Sequence, residues 1–181
     1  MSVISRRRLV QWGLSGLALG AASHTSALTT QAVTQREKEL ALHNLHTGER
    51  VRAVFWQDGQ YVQETVSELN YLLRDHRADT FTTMDLQLLE SMHKLAVLNE
   101  AKELHIISGY RSPETNEKLR QQGRGVAKKS LHMQGRAIDL RIPGRSLNQV
   151  YQSALSFHHG GIGYYGKSQF IHLDTGRNRR W

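Results

Sequence analysis

The chain has 181 residues, 24 Lys and Arg against 16 Asp and Glu, a formal net charge of +8, 10 His and no Cys. Without cysteine there is no disulfide framework, lipoprotein anchor or thiolate zinc site, so any transition metal must rest on His and carboxylate. The basic balance suits an anionic polymer or surface, but its Lys and Arg are scattered, without interleaved aromatics or a nucleic-acid motif, so nucleic acid is not an expected partner.

Ser5-Arg6-Arg7-Arg8-Leu9-Val10 resembles a twin-arginine export signal, and the apolar, Gly- and Ala-rich stretch behind it is too short and weak for a membrane span. Residues 1–27 are therefore expected to be a signal peptide, cleaved near Thr25-Ser26-Ala27 or at Gly20-Ala21-Ala22, with the mature protein in the periplasm. Residues 28–181 are enough for one domain with a real core and no membrane span, expected to be a monomer. Within it, polar residues 28–39 read as a flexible arm.

Leu40 to His46 and Arg50 to Trp56 read as strands joined at Thr47-Gly48-Glu49, and Asp58-Gly59 turns the chain into Tyr61-Val62. That makes an N-terminal β-meander, on which His43 and His46 read as solvated strand histidines rather than metal ligands. Val66, Leu69, Leu72 and Leu73, then Leu86, Leu89, Met92 and Ala96, recur at helical spacing and predict two core helices, the second capped by Thr83 or Asp85. Leu104 to Ile107 follows as a short buried strand, and Pro113 with Glu114 and Glu117 opens another helix. Residues 121–130 form a Gly- and Lys-rich loop.

The stretch from Ser130 to Asp139, read with Phe170-Ile171-His172-Leu173-Asp174, organises the rest. His132, Asp139 and His172 make a three-ligand set for zinc, one ion per chain, with a fourth position left for water. On one helix His132 and Asp139 would lie roughly 10 Å apart and could not share an ion, so the chain must turn between them, which Gly135 permits. Ala137, Asp139 and Arg141 then alternate with Ile138, Leu140 and Ile142, the period of a half-buried strand; the second segment repeats it, with Phe170, His172 and Asp174 outward. Asp139, His172 and Asp174 are thus expected on exposed strand faces. Pro143-Gly144 turns the chain, Ser146 caps a helix carrying Val150, Ala154 and Leu155, and Gly160 to Tyr165 pairs with Ser168 to Leu173 as a hairpin.

With these words in order, His132-x6-Asp139 and the later His172 resemble the zinc signature of the M15-type peptidases. Ser108-Gly109-Tyr110-Arg111-Ser112-Pro113, Gly160-Gly161-Ile162-Gly163-Tyr164-Tyr165 and His172-Leu173-Asp174-Thr175-Gly176 agree with it. The chain resembles the subgroup of exported murein endopeptidases. The resemblance implies an α+β, hedgehog/DD-peptidase-like fold with a small, mainly antiparallel sheet and flanking helices. It implies hydrolysis of cross-links between peptidoglycan stem peptides by zinc-activated water, with Arg111 pointing into the site to hold a carboxylate or the developing oxyanion. The dipeptidase branch of the same fold carries a Glu three residues before the last His; here that residue is Gln169, which cannot act as a base. Asp174 and His159 remain as alternatives for proton transfer, Asp174 being equally an orienter of His172. A carboxypeptidase or dipeptidase, and a silent wall-binding module, are the competing readings.

Overall fold

The computed structural model describes residues 36–123 and 125–181. The expected signal peptide and most of the expected arm lie outside the described residues. Strand β1 already begins at Glu37, so residues 37–39 belong to the sheet and not to a loose arm.

Alternation of apolar and polar side chains builds β1 (Glu37–Asn44) and β2 (Arg50–Gln57), and a tight turn at Asp58-Gly59 adds the short β3 (Gln60–Tyr61). Helices α1 (Gln63–Leu72) and α2 (Leu86–Leu98) follow, the second capped by Asp85, whose side chain accepts from the Gln87 amide. Then come β4 (Leu104–Ser108), α3 (Pro113–Gln121), a 3-10 turn (Leu131–Gln134) and β5 (Ala137–Arg141). A full capping box of Ser146 and Gln149 starts α4 (Leu147–Leu155), and β6 (Gly161–Tyr165), β7 (Phe170–Asp174) and β8 (Arg179–Arg180) close the chain.

The strands form one eight-stranded sheet in the order β3-β2-β1-β4-β5-β7-β6-β8. The pairs β1–β4 and β6–β8 are parallel and the other pairs antiparallel. The α+β class, the antiparallel bias and the N-terminal β1-β2-β3 meander are as expected, but the sheet is larger, because β1 joins β4 edge to edge and merges the meander with the remaining strands. One sheet face carries Leu40, Leu42, Leu104, Ile106, Ile138, Leu140, Ile162, Ile171 and Leu173, which pack with apolar residues of α1, α2 and α4 into a single core. Helices α1, α2 and α4 therefore occupy the apolar face and leave the other face to polar residues.

Two knots fix the segments that carry site residues. Asp85 accepts a hydrogen bond from the Thr175 hydroxyl at 2.6 Å and its amide donates to the Gly135 carbonyl, tying the start of α2 to the turn before β5 and to the end of β7. Gly135 has φ +66, and a Cβ there would lie 2.5 Å from the Thr83 carbonyl oxygen, so only glycine ends the 3-10 turn in this way. Asp75, buried, accepts from the Ser112 amide at 2.9 Å and the Arg77 amide at 3.0 Å, pinning the segment that delivers Arg111. Burial by itself would raise the Asp75 pKa, but hydrogen bonds from Thr115, Ser112 and Arg77 outweigh it and hold the carboxyl below its ordinary value.

That shift fixes a pH dependence. With the folded-state pKa depressed, the stabilisation is complete above the unfolded value of ~3.9 and is lost as pH falls through the folded one. Asp75→Ala is expected to cost about 2–3 kcal/mol at pH 7, the range for lost hydrogen bonds to a charged group. Urea midpoints at pH 7 and pH 3 should show the gap from wild type narrowing in acid.

Candidate metal centre

The chain turns where the spacing requires. Ser130 caps the 3-10 turn by accepting from the His132 amide, and Gly135, in the left-handed region, reverses the backbone into β5. In the sheet, Asp139 of β5 lies directly opposite His172 of β7, so both side chains project from the same face, and Ser108 and Gly163 flank them on the neighbouring strands.

Three ligand atoms converge there. The His172 Nδ1 lies 2.8 Å from Asp139 Oδ1, and the His132 Nε2 lies 3.3 Å from His172 Nδ1 and 3.4 Å from Asp139 Oδ1. Tetrahedral donors held at ~2.0–2.1 Å from zinc would sit about 3.3–3.4 Å apart, close to this triangle. The other nitrogen of each imidazole is committed outward. His132 Nδ1 donates to the Gly109 carbonyl at 2.7 Å, and His172 Nε2 donates to Asp174 Oδ2 at 2.9 Å. Those tautomers turn a lone pair of each ring toward the Asp139 carboxylate. Three acceptors facing one point repel each other unless a cation lies among them, so the donor set fits a divalent metal, and its two imidazoles and one carboxylate suit zinc.

The electrostatics agree. Burial by itself would raise the Asp139 pKa, yet positive charge at His132 and His172, which a metal ion would carry when the rings present their lone pairs, outweighs it and holds the carboxyl far below the usual carboxylate range. Burial would lower the His172 pKa, and Asp139 and Asp174 reverse that and raise it. The two carboxylates thus favour positive charge at this point even though the ligands are buried. That burial corrects the expectation of exposed faces: Asp139 and His172 are each only 8% exposed and Asp174 is 0% exposed.

Asp174 is placed behind His172, away from the three convergent atoms. It also accepts from the Gly176 amide at 2.9 Å, the Gly161 amide at 3.2 Å and the Arg179 guanidinium. Burial opposes its charge, but hydrogen bonds from His172, then Arg179 and the Gly176 amide, keep the carboxyl well below its ordinary pKa. Of the two roles expected of it, the geometry matches the orienter. His159 is not brought to the centre: it is exposed and lines a groove with Lys38, Glu90, Ser91, Lys94 and Phe157. α4 ends at Leu155, and the turn after it points His158 inward instead, donating to the Asp174 carbonyl at 2.8 Å and meeting the Ser91 hydroxyl at 3.1 Å. Gln169, in the β6–β7 turn with φ +55, donates to the Gly166 carbonyl and belongs to the turn.

Arg111 stands beside the centre. Its amide donates to the His132 carbonyl at 3.2 Å, and its guanidinium donates to Ser108 Oγ at 3.2 Å and to Asn116 Oδ1 at 3.4 Å. Burial lowers its pKa and the Asp139 charge opposes that, which places the cation within the field of the ligand set. Trp181, in sequence the aromatic end of a basic tail that could meet an acidic wall peptide or pack on the domain, lies against the centre. Its ring centroid is 5.3 Å from that of His172, its indole donates to the Tyr165 hydroxyl at 2.9 Å, and its ring covers Gly163, where a Cβ would lie 2.6 Å away. The basic tail packs on the domain rather than reaching outward: Arg179 holds Asp174, and Arg180 donates to the Gly160 and His158 carbonyls. Lys128 and Lys129 are exposed.

Comparison with known proteins gives the family of the chain. The family model described as "Peptidoglycan L,D-endopeptidase MepK" matches residues 32–181. A relative of that name from Escherichia coli (strain K12) is 43% identical over 178 residues, 98% of this chain and 97% of its own. The Shigella flexneri protein of the same name is also 43% identical over 178 residues, with the same coverage. The "Probable peptidoglycan L,D-endopeptidase MepK" of Haemophilus influenzae is 37% identical over 184 residues, 100% of this chain and 98% of its own. No solved structure matches.

His158 offers a test of how the Asp174 end of the site is held. Burial, first among its influences, lowers its pKa, so the folded protein keeps the ring neutral. The stabilisation is complete above the unfolded value of ~6.5 and is lost as pH falls through the folded one. His158→Gln is expected to cost about 1–2 kcal/mol at pH 8, the cost of a buried hydrogen bond left unmade. Denaturant midpoints at pH 8 and pH 5 should show that difference shrinking in acid.

Proposed function

The chain belongs to the MepK family of peptidoglycan L,D-endopeptidases, and on that premise we propose that it cuts peptide cross-links of the cell wall with a zinc ion held by His132, Asp139 and His172. It is a metallopeptidase acting on murein. The relatives' names specify L,D-endopeptidases; extended to this chain, the scissile bond joins an L- to a D-configured residue, as in 3–3 rather than 4–3 cross-links. The single observation that carries the metal assignment is the convergence of three lone pairs whose opposite nitrogens are already committed. The fold reading that goes with it is hedgehog/DD-peptidase-like, with metal ligands on adjacent antiparallel strands. No helix among the described residues is long and apolar enough to cross a membrane, and we place the mature enzyme in the periplasm, exported on its twin-arginine-type leader.

Bound at these three side chains, zinc supplies Lewis-acid activation of water and of the scissile carbonyl. The protein's own groups do the rest. Asp174 holds the Nε2 proton of His172 and makes Nδ1 the ligating atom, while the Gly109 carbonyl does the same for His132. Arg111, anchored by Ser108 and Asn116, presents its planar cation to the oxygen that gains charge as the peptide carbonyl is attacked. Trp181 and Tyr165, 46% and 38% exposed, give the stem peptide an apolar wall beside His172. Gln169 and His159 take no part in proton transfer in this reading, and Asp174 acts only through His172.

Three outcomes test it. Purified sacculi treated with the enzyme are expected to lose 3–3 cross-linked muropeptides without release of free D-alanine, and a chelator should stop the reaction; unchanged muropeptides would refute the enzyme, and free D-alanine would make it a carboxypeptidase. His132→Ala is expected to leave the folded protein without its tightly held zinc by metal analysis. Arg111→Ala should keep that zinc and lose ~10²–10³ in rate, the usual cost of a lost oxyanion donor. Arg111→Lys should recover only part, because it keeps the charge and loses the fork.

A further inference from the structure

A second set of ligating side chains stands outside the His132 centre. His43 of β1, Glu103 just before β4 and His105 of β4 offer one ligand atom each, all within 4.8 Å of one another. His43 and His105 are direct neighbours across the parallel β1–β4 pair, with ring centroids 4.9 Å apart. Glu103 Oε1 lies 2.9 Å from His105 Nε2 and 3.9 Å from His43 Nδ1. His46, the histidine that sequence spacing couples to His43, turns away and stacks on His76 at 4.3 Å.

A cation already answers this geometry. Arg50 meets His43 Nδ1 at 3.1 Å and donates from its Nε to Glu103 at 3.4 Å. A guanidinium only donates, so Nδ1 of His43 carries a lone pair turned to the same spot as the Glu103 carboxylate. Desolvation, then the Arg50 charge, lowers the His43 pKa, and the hydrogen bond from His105, first among several influences, lowers that of Glu103. An imidazole lone pair and a carboxylate turned to one spot are the forms that bind metals. The Arg50 side chain is 60% exposed, against 15% for His43, 28% for Glu103 and 18% for His105. The arginine is thus the one member free to swing into water.

We propose that His43, Glu103 and His105 form a second site for a transition-metal dication such as zinc, one in which Arg50 is the resident competitor. Two imidazoles and a carboxylate select zinc, nickel or copper over magnesium and calcium. The Arg50 guanidinium, and Arg141, the cross-strand neighbour of His105, set its affinity below that of the buried centre. An ion there ties β1 to β4, the parallel seam between the N-terminal strands and the strands that carry the catalytic ligands.

The test is zinc titration of the full protein with its first equivalent already bound, read by calorimetry, by metal analysis after equilibrium dialysis and by thermal melting. A second, weaker equivalent is expected, with a rise in melting temperature in excess zinc, and none with magnesium. His105→Asn and His43→Asn should each lose the second equivalent while keeping the first, which also reports that they fold. Arg50→Ala should bind the second equivalent several-fold more tightly. Saturation of the wild type at one equivalent, a second equivalent that survives both histidine variants, binding of magnesium there, or an Arg50→Ala protein with unchanged affinity would each overturn the site.

Discussion

The structure depends on two hydrogen bonds that point away from the spot where His132, Asp139 and His172 converge. His132 gives its Nδ1 proton to the Gly109 carbonyl and His172 gives its Nε2 proton to Asp174. Each bond fixes a tautomer, and each tautomer fixes which lone pair faces Asp139. Without them the three side chains would satisfy one another as an ordinary buried imidazole–carboxylate cluster. A buried acceptor of protons is costly unless its own charge is compensated. The Gly161 and Gly176 amides and Arg179 around Asp174 supply that compensation, which is why a two-residue strand at the end of the chain matters to a ligand on another strand.

The division of the sheet into two faces follows from the same demand. Helices α1, α2 and α4 cover the apolar face and make one core with it. The polar face is covered instead by side chains from the edge strand β8 and the residue after it, the Arg179 guanidinium on Asp174 and the Trp181 ring over Gly163. Gly161 and Gly163 allow that closure, since a Cβ at Gly161 would lie 2.4 Å from the Asp174 carboxylate and one at Gly163 would meet the Trp181 ring. Gly161 and Gly163 are therefore close-approach residues, set against this chain's own Asp174 and Trp181.

Much of this was legible beforehand, and for identifiable reasons. The spacing of His132 and Asp139 demands a turn, Gly135 supplies it, and strand parity puts Asp139 and His172 on one face; all three are local rules acting over a few residues. What was not legible depends on distant contacts. Parity tells which face a residue takes but not whether that face is later covered, so the burial of Asp139, His172 and Asp174 was missed. The choice between His158 and His159 turns on where α4 stops, at Leu155, and a shift of one residue exchanges inside for outside. The parallel pairing of β1 with β4 joins strands far apart in the chain, and nothing in their local pattern brings His43 to His105.

One segment couples the two halves of the catalytic arrangement. The Tyr110 amide donates to the Leu73 carbonyl at 2.8 Å, a Cβ at Gly109 would lie 2.4 Å from that same carbonyl oxygen, and Asp75 grips the Ser112 amide. Residues 109–112 are thus clamped against the end of α1 with no room to slide. The carbonyl of Gly109 orients His132, while two residues on, the Arg111 amide returns to the His132 carbonyl. Ser108, which faces Asp139 across β4 and β5, holds the Arg111 guanidinium. The ligand set and the cation beside it are consequently positioned by the same few peptide groups, so neither can move without the other. In the proposed reaction such rigidity would count, because electrostatic stabilisation is largest where no dipole has to reorient during the reaction.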